Sequence, residues 1–226
     1  MRSKPYGSSI DGASFAFVIA LLGLPGAGKS TIKRQLTTLD HRYFNVINTT
    51  TRAPRINSGR AEVAGVDYFF VTREQFENSV VSGAMLNTTE IGGQLYGTGC
   101  DQYSIARGHN KIAIIDFDVS GFIGLSRVSW ARISPFFILP KNTEAWKRQF
   151  FERYSSRKQA EEIWQARLEF AKTELEWSRS RNDIQFVRNI DPIDSAKQIH
   201  KSFQRGPSIK QFNIEGLIAD IREFSG

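Results

Sequence analysis

The sequence contains a single cysteine, Cys100, so neither an intramolecular disulfide nor a thiolate-based zinc site can form. That scarcity suits a reducing compartment, and the chain reads as cytoplasmic. Long apolar runs are missing as well. The most hydrophobic stretch, Phe15 to Leu24, is too short to cross a bilayer, which takes roughly 18 residues or more. It continues into Pro25-Gly26-Ala27-Gly28-Lys29-Ser30 instead of a small-residue cleavage site, so it does not read as a secretory segment. Blocks of consecutive Lys and Arg are also absent, although the net charge is +7. The surplus therefore suits a small anionic ligand better than a nucleic acid or a membrane surface, and neither of those is expected as a partner.

What is present is an ordinary globular composition. With 226 residues, 40% hydrophobic and 23% charged, the chain is neither collagenous nor disordered nor a coiled coil, and its length suits one large domain. Four continuous apolar runs stand out: FAFVIALL from Phe15, IAII from Ile112, ISPFFIL from Ile133 and IQFV from Ile184. Unbroken rather than alternating hydrophobicity marks strands buried on both faces, as in a parallel sheet covered by helices. Helical spacing lies between them: Ile32, Leu36 and Leu39 form one stripe, and Trp164, Leu168, Ala171 and Leu175 form another, with Glu161, Glu162, Glu169 and Lys172 left for solvent. The fold class is α/β.

Residues 1–14 are polar, without periodicity, and read as a flexible leader. Residues 15–51 and 108–206 carry the core pattern, whereas 52–107 are richer in Gly and Thr with short alternating runs, as in an inserted, partly β subdomain. The charged stretch at about 152–162 offers no apolar face before Ile163 and is read as a mobile connection between helices. Ile214, Leu217, Ile218, Ile221 and Phe224 describe an amphipathic helix in a C-terminal extension, 207–226, which either packs on its own domain or pairs two chains. A monomer and a homodimer both remain open.

The segment Gly23 to Thr31, GLPGAGKST, has the spacing G-x-x-x-x-G-K-[ST] between a buried strand and a helical stripe. Gly23, Pro25, Gly26, Ala27, Gly28, Lys29, Ser30 and Thr31 thus form a candidate phosphate loop. Inward-turned backbone N–H groups, a helix N-terminus and the Lys29 charge would cradle a nucleoside triphosphate, and Ser30 would ligate Mg²⁺. A phosphate loop leaves ATPases, GTPases, motors and kinases all open. The apolar run from Ile112 then ends in Asp116-Phe117-Asp118, where period-two geometry expects two carboxylates on one side at the strand's carboxyl end. Beside a phosphate loop, Asp116 is assigned to the metal, although such a pair can also cap the next helix.

Further blocks carry a resemblance. TTRAPR from Thr50, GVDYFFV from Gly65, GAMLNTTEIGGQLYGT from Gly83, IDFDVSG from Ile115 and FVRNID from Phe186 resemble, in order, blocks of the guanylate kinase family. The resemblance covers residues from about 15 to 205 and is far more specific than any single motif. It implies a phosphate-loop parallel sheet flanked by helices, with 52–107 as the nucleoside-monophosphate-binding subdomain and 152–162 as part of a helical lid. It implies ATP as phosphate donor, Mg²⁺ as cofactor and a nucleoside monophosphate as acceptor. By the same resemblance, Arg52 and Arg55 clamp the acceptor phosphate with Tyr68 and Tyr96, while Thr98 and Asp118 face the acceptor base. Asn189 lies near the donor adenine. Lys29, Arg52, Arg153 as the lid arginine and Arg167 act in transfer, with Arg157 a rival to Arg153.

Two positions depart from the family. Asn87 stands where the family has a Glu that accepts from guanine N1–H and its 2-amino group, and Asn48 stands where it typically has Ser. An amide has one acceptor and no charge, and a lost charged hydrogen bond costs about 1.5–3 kcal/mol, so guanine specificity stays open. The reading is reversible transfer of the ATP γ-phosphate to GMP, dGMP or a related purine monophosphate. A phosphorylated-sugar acceptor and a catalytically silent protein-binding module are the alternatives.

Overall fold

A computed structural model describes residues 16–57, 60–152 and 157–205. The expected leader, the C-terminal extension and Arg153 lie outside the described residues. The apolar run after Phe15 forms strand β1 (Ala16–Gly23), buried along its length apart from half-buried Phe17. The phosphate-loop segment turns it into helix α1 (Lys29–Leu39), and β2 (Tyr43–Asn45) follows. In α1, Ile32 and Leu36 are buried as expected, but Leu39 at the helix end is 40% exposed, and the inward positions include Lys33.

Next comes the insert: β3 (Thr49–Thr50), β4 (Ile56–Asn57), β5 (Arg60–Ala61), β6 (Phe69–Phe70), α2 (Arg73–Val81), β7 (Met85–Ile91) and β8 (Gln94–Gly99). The chain returns through α3 (Cys100–Gly108), β9 (Ile112–Asp116), α4 (Val119–Ser126), β10 (Ala131–Pro140), α5 (Thr143–Phe151), α6 (Arg157–Arg179), β11 (Gln185–Asn189) and α7 (Pro192–Arg205). The core sheet runs β11-β10-β1-β9-β2 with every pairing parallel. All four apolar runs are therefore strands of one sheet, and the three-residue edge strand β2, too short to show a pattern, is the one the sequence did not mark. Because the chain fills one side of β1 before crossing to the other, a crevice opens at the carboxyl ends of β9, β1 and β10.

A second sheet, β6-β3-β8-β7, forms the insert, and β4 pairs with β5 as a small hairpin. Its first strand starts at Thr49 rather than at residue 52, and α3, at its end, turns Tyr103 and Ala106 inward against the core strands β1 and β9. The insert is thus strung between two crossings, one just before β3 and one just after β8.

Trp164, Leu168, Ala171 and Leu175 are all buried on α6. Trp146 and Phe150 of α5 stack on Trp164, with ring centroids 4.7 and 5.1 Å away. The charged connection is shorter than expected: residues 157–162 already belong to α6, because Ala160 supplies the fully buried position that pattern reading overlooked. No helix among the described residues is long and apolar enough to cross a membrane.

Candidate active site

The loop after β1 is shaped by glycine. Gly23, Gly26 and Gly28 have φ of 127°, 93° and 91°, a region that favours glycine. A Cβ on Gly23 would collide with the Ile138 backbone, and one on Gly28 with the Asn189 amide. Side chains brace the loop from outside: Trp146 Nε1 donates to the Pro25 carbonyl at 2.7 Å, and Asn189 Nδ2 donates to the Ala27 carbonyl at 2.8 Å. Lys29, the first residue of α1, folds back to donate to the carbonyls of Gly23 and Leu24.

Strand register sets Asp116 of β9 beside Leu21 of β1, next to the loop. Ser30 Oγ donates to Asp116 Oδ2 at 2.9 Å, and Lys33 Nζ lies 2.5 Å from Oδ1 while also donating to the Val46 carbonyl at 3.0 Å. Burial alone would push the Asp116 carboxyl up, but Lys33, with Lys29 and the Ser30 hydroxyl, outweighs it and holds the carboxyl below its ordinary value. An ionised carboxylate beside a serine hydroxyl suits Mg²⁺, which keeps several waters and takes its other ligands from phosphate. Strand β9 ends at Asp116, yet Asp118 still lines the same cleft as Asp116. Asp118 also caps α4, its Oδ1 accepting from the Gly121 N–H at 2.8 Å. Among the described residues no group of three or more His, Cys, Asp or Glu could hold a metal by itself.

A cleft of about 440 Å³ joins the loop to the insert. Its lining includes Lys29, Asn48, Arg55, Tyr68, Asn87, Tyr96, Asp116, Asp118, Arg167 and Glu174. The two expected clamp arginines part company here. Arg55 is exposed and lines the cleft, whereas Arg52 is buried, with its fork on Glu62 at 2.6 and 2.8 Å and its guanidinium 4.7 Å from the Tyr68 ring centroid. Glu62 also accepts from the Arg55 backbone N–H at 2.9 Å, so one carboxylate organises both. Tyr68 and Tyr96 meet edge to face, 6.3 Å between centroids, and burial pushes the Tyr68 phenol up to about 12.

Thr98 is fully buried and supports the cleft from behind. Asn87, opposite Thr98 in the β7–β8 pairing, packs on α4, where Gly121 and Gly124 leave room for its side chain; its Oδ1 is buried without a hydrogen-bond partner. Across the cleft, half-buried Arg167 projects from α6 as expected from the edge of its stripe. Arg157 is turned to solvent and pairs with Glu161 at 3.0 Å.

The family model for guanylate kinase matches residues 16–190. The chain belongs to the guanylate kinase family. It is 31% identical to a guanylate kinase of Bacillus cereus over 207 residues, 91% of this chain and 96% of that protein. Against the guanylate kinase of Rickettsia bellii it is 31% identical, covering 81% of this chain and 91% of the relative, and against that of Sus scrofa 28%, covering 79% and 86%. The solved guanylate kinase of Anaplasma phagocytophilum superposes with a TM-score of 0.63 at 21% identity, covering 94% of this chain and 97% of that one, a likeness of fold.

Three polar residues of this guanylate kinase family member escaped sequence reading. Lys33 follows Lys29 by one helical turn, between Ile32 and Leu36, so its place beside the buried stripe was the available signal. Glu62 gives no local sign, since its partner Arg52 lies ten residues away across a loop. Glu174 sits in the apolar stripe of α6, three residues after Ala171, and is 3% exposed. Its Oε1 accepts from the Val119 N–H at 3.0 Å, and Oε2 has no partner. Burial pushes this carboxyl up to about 7, against the pull of Lys29, Val119 and Arg167.

Proposed function

We propose that the protein transfers the γ-phosphate of ATP reversibly to GMP, dGMP or a closely related purine monophosphate, giving the diphosphate. The observation that carries this reading is the single cleft running from Lys29 and the phosphate loop to Arg55, Tyr68, Asn87 and Tyr96. Donor and acceptor phosphates bound at its two ends would face each other in a shared space, which is what in-line transfer requires.

The backbone N–H groups of Gly26 to Ser30 and the start of α1 would hold the β and γ phosphates, with Lys29 leaving its loop carbonyls for phosphate oxygens. Ser30 and Asp116 would hold Mg²⁺, which offsets the charge gathering on the phosphates. The Arg55 fork, Tyr68 and Tyr96 would seat the acceptor phosphate, while Arg52, held by Glu62, adds positive field from behind. Arg167 and, from the lid, Arg153 would close over the transferring group and exclude water. Asn189 braces the loop on the donor side, near the adenine. No covalent intermediate is needed.

On the base side, Asn87 offers a buried acceptor oxygen and Asp118 lines the same wall. Neither the sugar-phosphate reading nor the scaffold reading gains a supporting observation. ADP production from Mg·ATP with GMP, dGMP, IMP, XMP and AMP tests the proposal. Turnover with GMP or another purine monophosphate is expected, and a protein inert to all of them but active on a phosphorylated sugar would replace the reading.

A further inference from the structure

Asn48 occupies the point where the chain leaves the core sheet for the insert, between β2 and β3. Its backbone carbonyl accepts from the Phe69 N–H at 2.8 Å, which anchors β6. Its side chain makes two further bonds. Nδ2 donates to the Asp116 backbone carbonyl at 2.8 Å, and Oδ1 accepts from Thr98 Oγ1 at 2.7 Å. The amide can be seated only this way round, because a backbone carbonyl can accept but never donate. Thr98 is the next-to-last residue of β8, just before the chain crosses back into α3. One side chain therefore spans both crossings of the insert and pins them to the strand end that carries Asp116. From Asp116 the bonding continues through its carboxylate to Ser30 and Lys33 of α1.

We infer that Asn48 is a positioning residue, a latch that fixes the acceptor sheet against Asp116 and the phosphate loop, rather than a residue that reads the acceptor base. The inference rests on the proposed phosphoryl transfer for its kinetic consequence only. Both polar groups of the amide already have partners within the protein. A latch built from neutral hydrogen bonds can yield and re-form as the insert moves, and it transmits the seating of the acceptor to the donor side through a continuous chain of bonds. Serine at this position has a single oxygen on a shorter side chain and could not bridge the Thr98 hydroxyl and the Asp116 carbonyl together.

The test uses Asn48→Leu, similar in size and without polar groups, Thr98→Val, which cuts the latch without touching Asp116, and the double variant. Each is assayed with Mg·ATP and GMP, dGMP, IMP and AMP, and each is titrated by calorimetry with a non-hydrolysable ATP analogue, with and without GMP. A latch predicts that Asn48→Leu lowers kcat about tenfold for every acceptor alike, with the ratios of kcat/KM among acceptors staying within about twofold of wild type. Any strengthening of analogue binding by GMP is expected to shrink in both single variants, and the double variant to lose no more than the more affected single one. Ratios among acceptors that shift more than about tenfold would make Asn48 a base reader and overturn the inference. Unchanged kcat together with unchanged analogue binding would also overturn it. If wild type turns over no purine monophosphate, the functional reading fails by itself. The latch is then judged by unfolding: non-additive losses in the two single variants support it, and additive ones remove it.

Discussion

On the donor side of the cleft, the groups expected to meet phosphate are backbone amides and strand ends. They are held by glycine geometry, by Trp146 and Asn189 on the loop carbonyls, and by the parallel pairing of β1 with β9. On the acceptor side they are side chains carried on short strands and the loops between them, with the Asn87 Oδ1 left unpartnered. The first side follows from how the core sheet is wound and changes only if the fold does. The second can be altered one residue at a time, and Asn48 and Asn87 both lie there.

The contrast between the two sides is tested most severely at Lys29. Replacing it with Met is expected to lower kcat by about a hundredfold or more for every acceptor, because it removes the full positive charge that the loop holds where the donor phosphates would sit. Unequal losses among acceptors would mean that the donor side also selects the base. Next in size, Arg52→Ala leaves the buried Glu62 carboxylate without its fork and should cost about 3 kcal/mol of stability in urea unfolding. Arg55→Ala should leave unfolding alone and raise the acceptor KM about tenfold. An Arg52 variant as stable as wild type would contradict the division between the two.

Asn87→Glu probes the contrast from the acceptor side: kcat/KM for GMP is expected to rise roughly tenfold with the KM for ATP unmoved. No gain would mean that the packing against Gly121 and Gly124 prevents a longer side chain from facing the base. A smaller effect concerns pH. Glu174 is buried between Lys29, Asp118 and Arg167, and its carboxyl rises from an ordinary 4.5 to about 7. Between those values the folded protein binds more protons than the unfolded chain, so this group makes stability fall as pH rises from about 4.5 to about 7, and the loss then levels off. The cost at pH 8 is roughly 3 kcal/mol, and Glu174→Gln should flatten the slope seen in denaturant melts at pH 5 and pH 8. Smallest of all, Arg157→Ala should change neither kinetics nor melting, since its pairing with Glu161 is solvent-exposed.

The buried strands, the phosphate loop and the stripe of α6 were legible because each is a local pattern: continuous apolar runs, glycines at set spacing, apolar residues one turn apart. The division between Arg52 and Arg55 was not legible, because only the loop closing onto Glu62 separates two arginines of the same short motif. That Asp118 both lines the cleft and caps α4 was legible only as two alternatives, because alternation along a strand holds only while the strand lasts, and β9 stops at Asp116. The start of α6 was read too late because a single buried Ala160 is a weak signal among charged neighbours.

Local sequence was therefore enough for an α/β core, a phosphate loop and the family to which the chain belongs, since these depend on residues close together in the chain. Which polar groups face the cleft and which are spent on one another was decided later, by packing. Asn48 meets Thr98 and Asp116 from distant parts of the chain, as Lys33 meets Asp116 and Glu174 meets Val119. Such pairings exist only once the strands and helices have packed, and burial then compels the polar groups left inside to find partners, as all but a few have done.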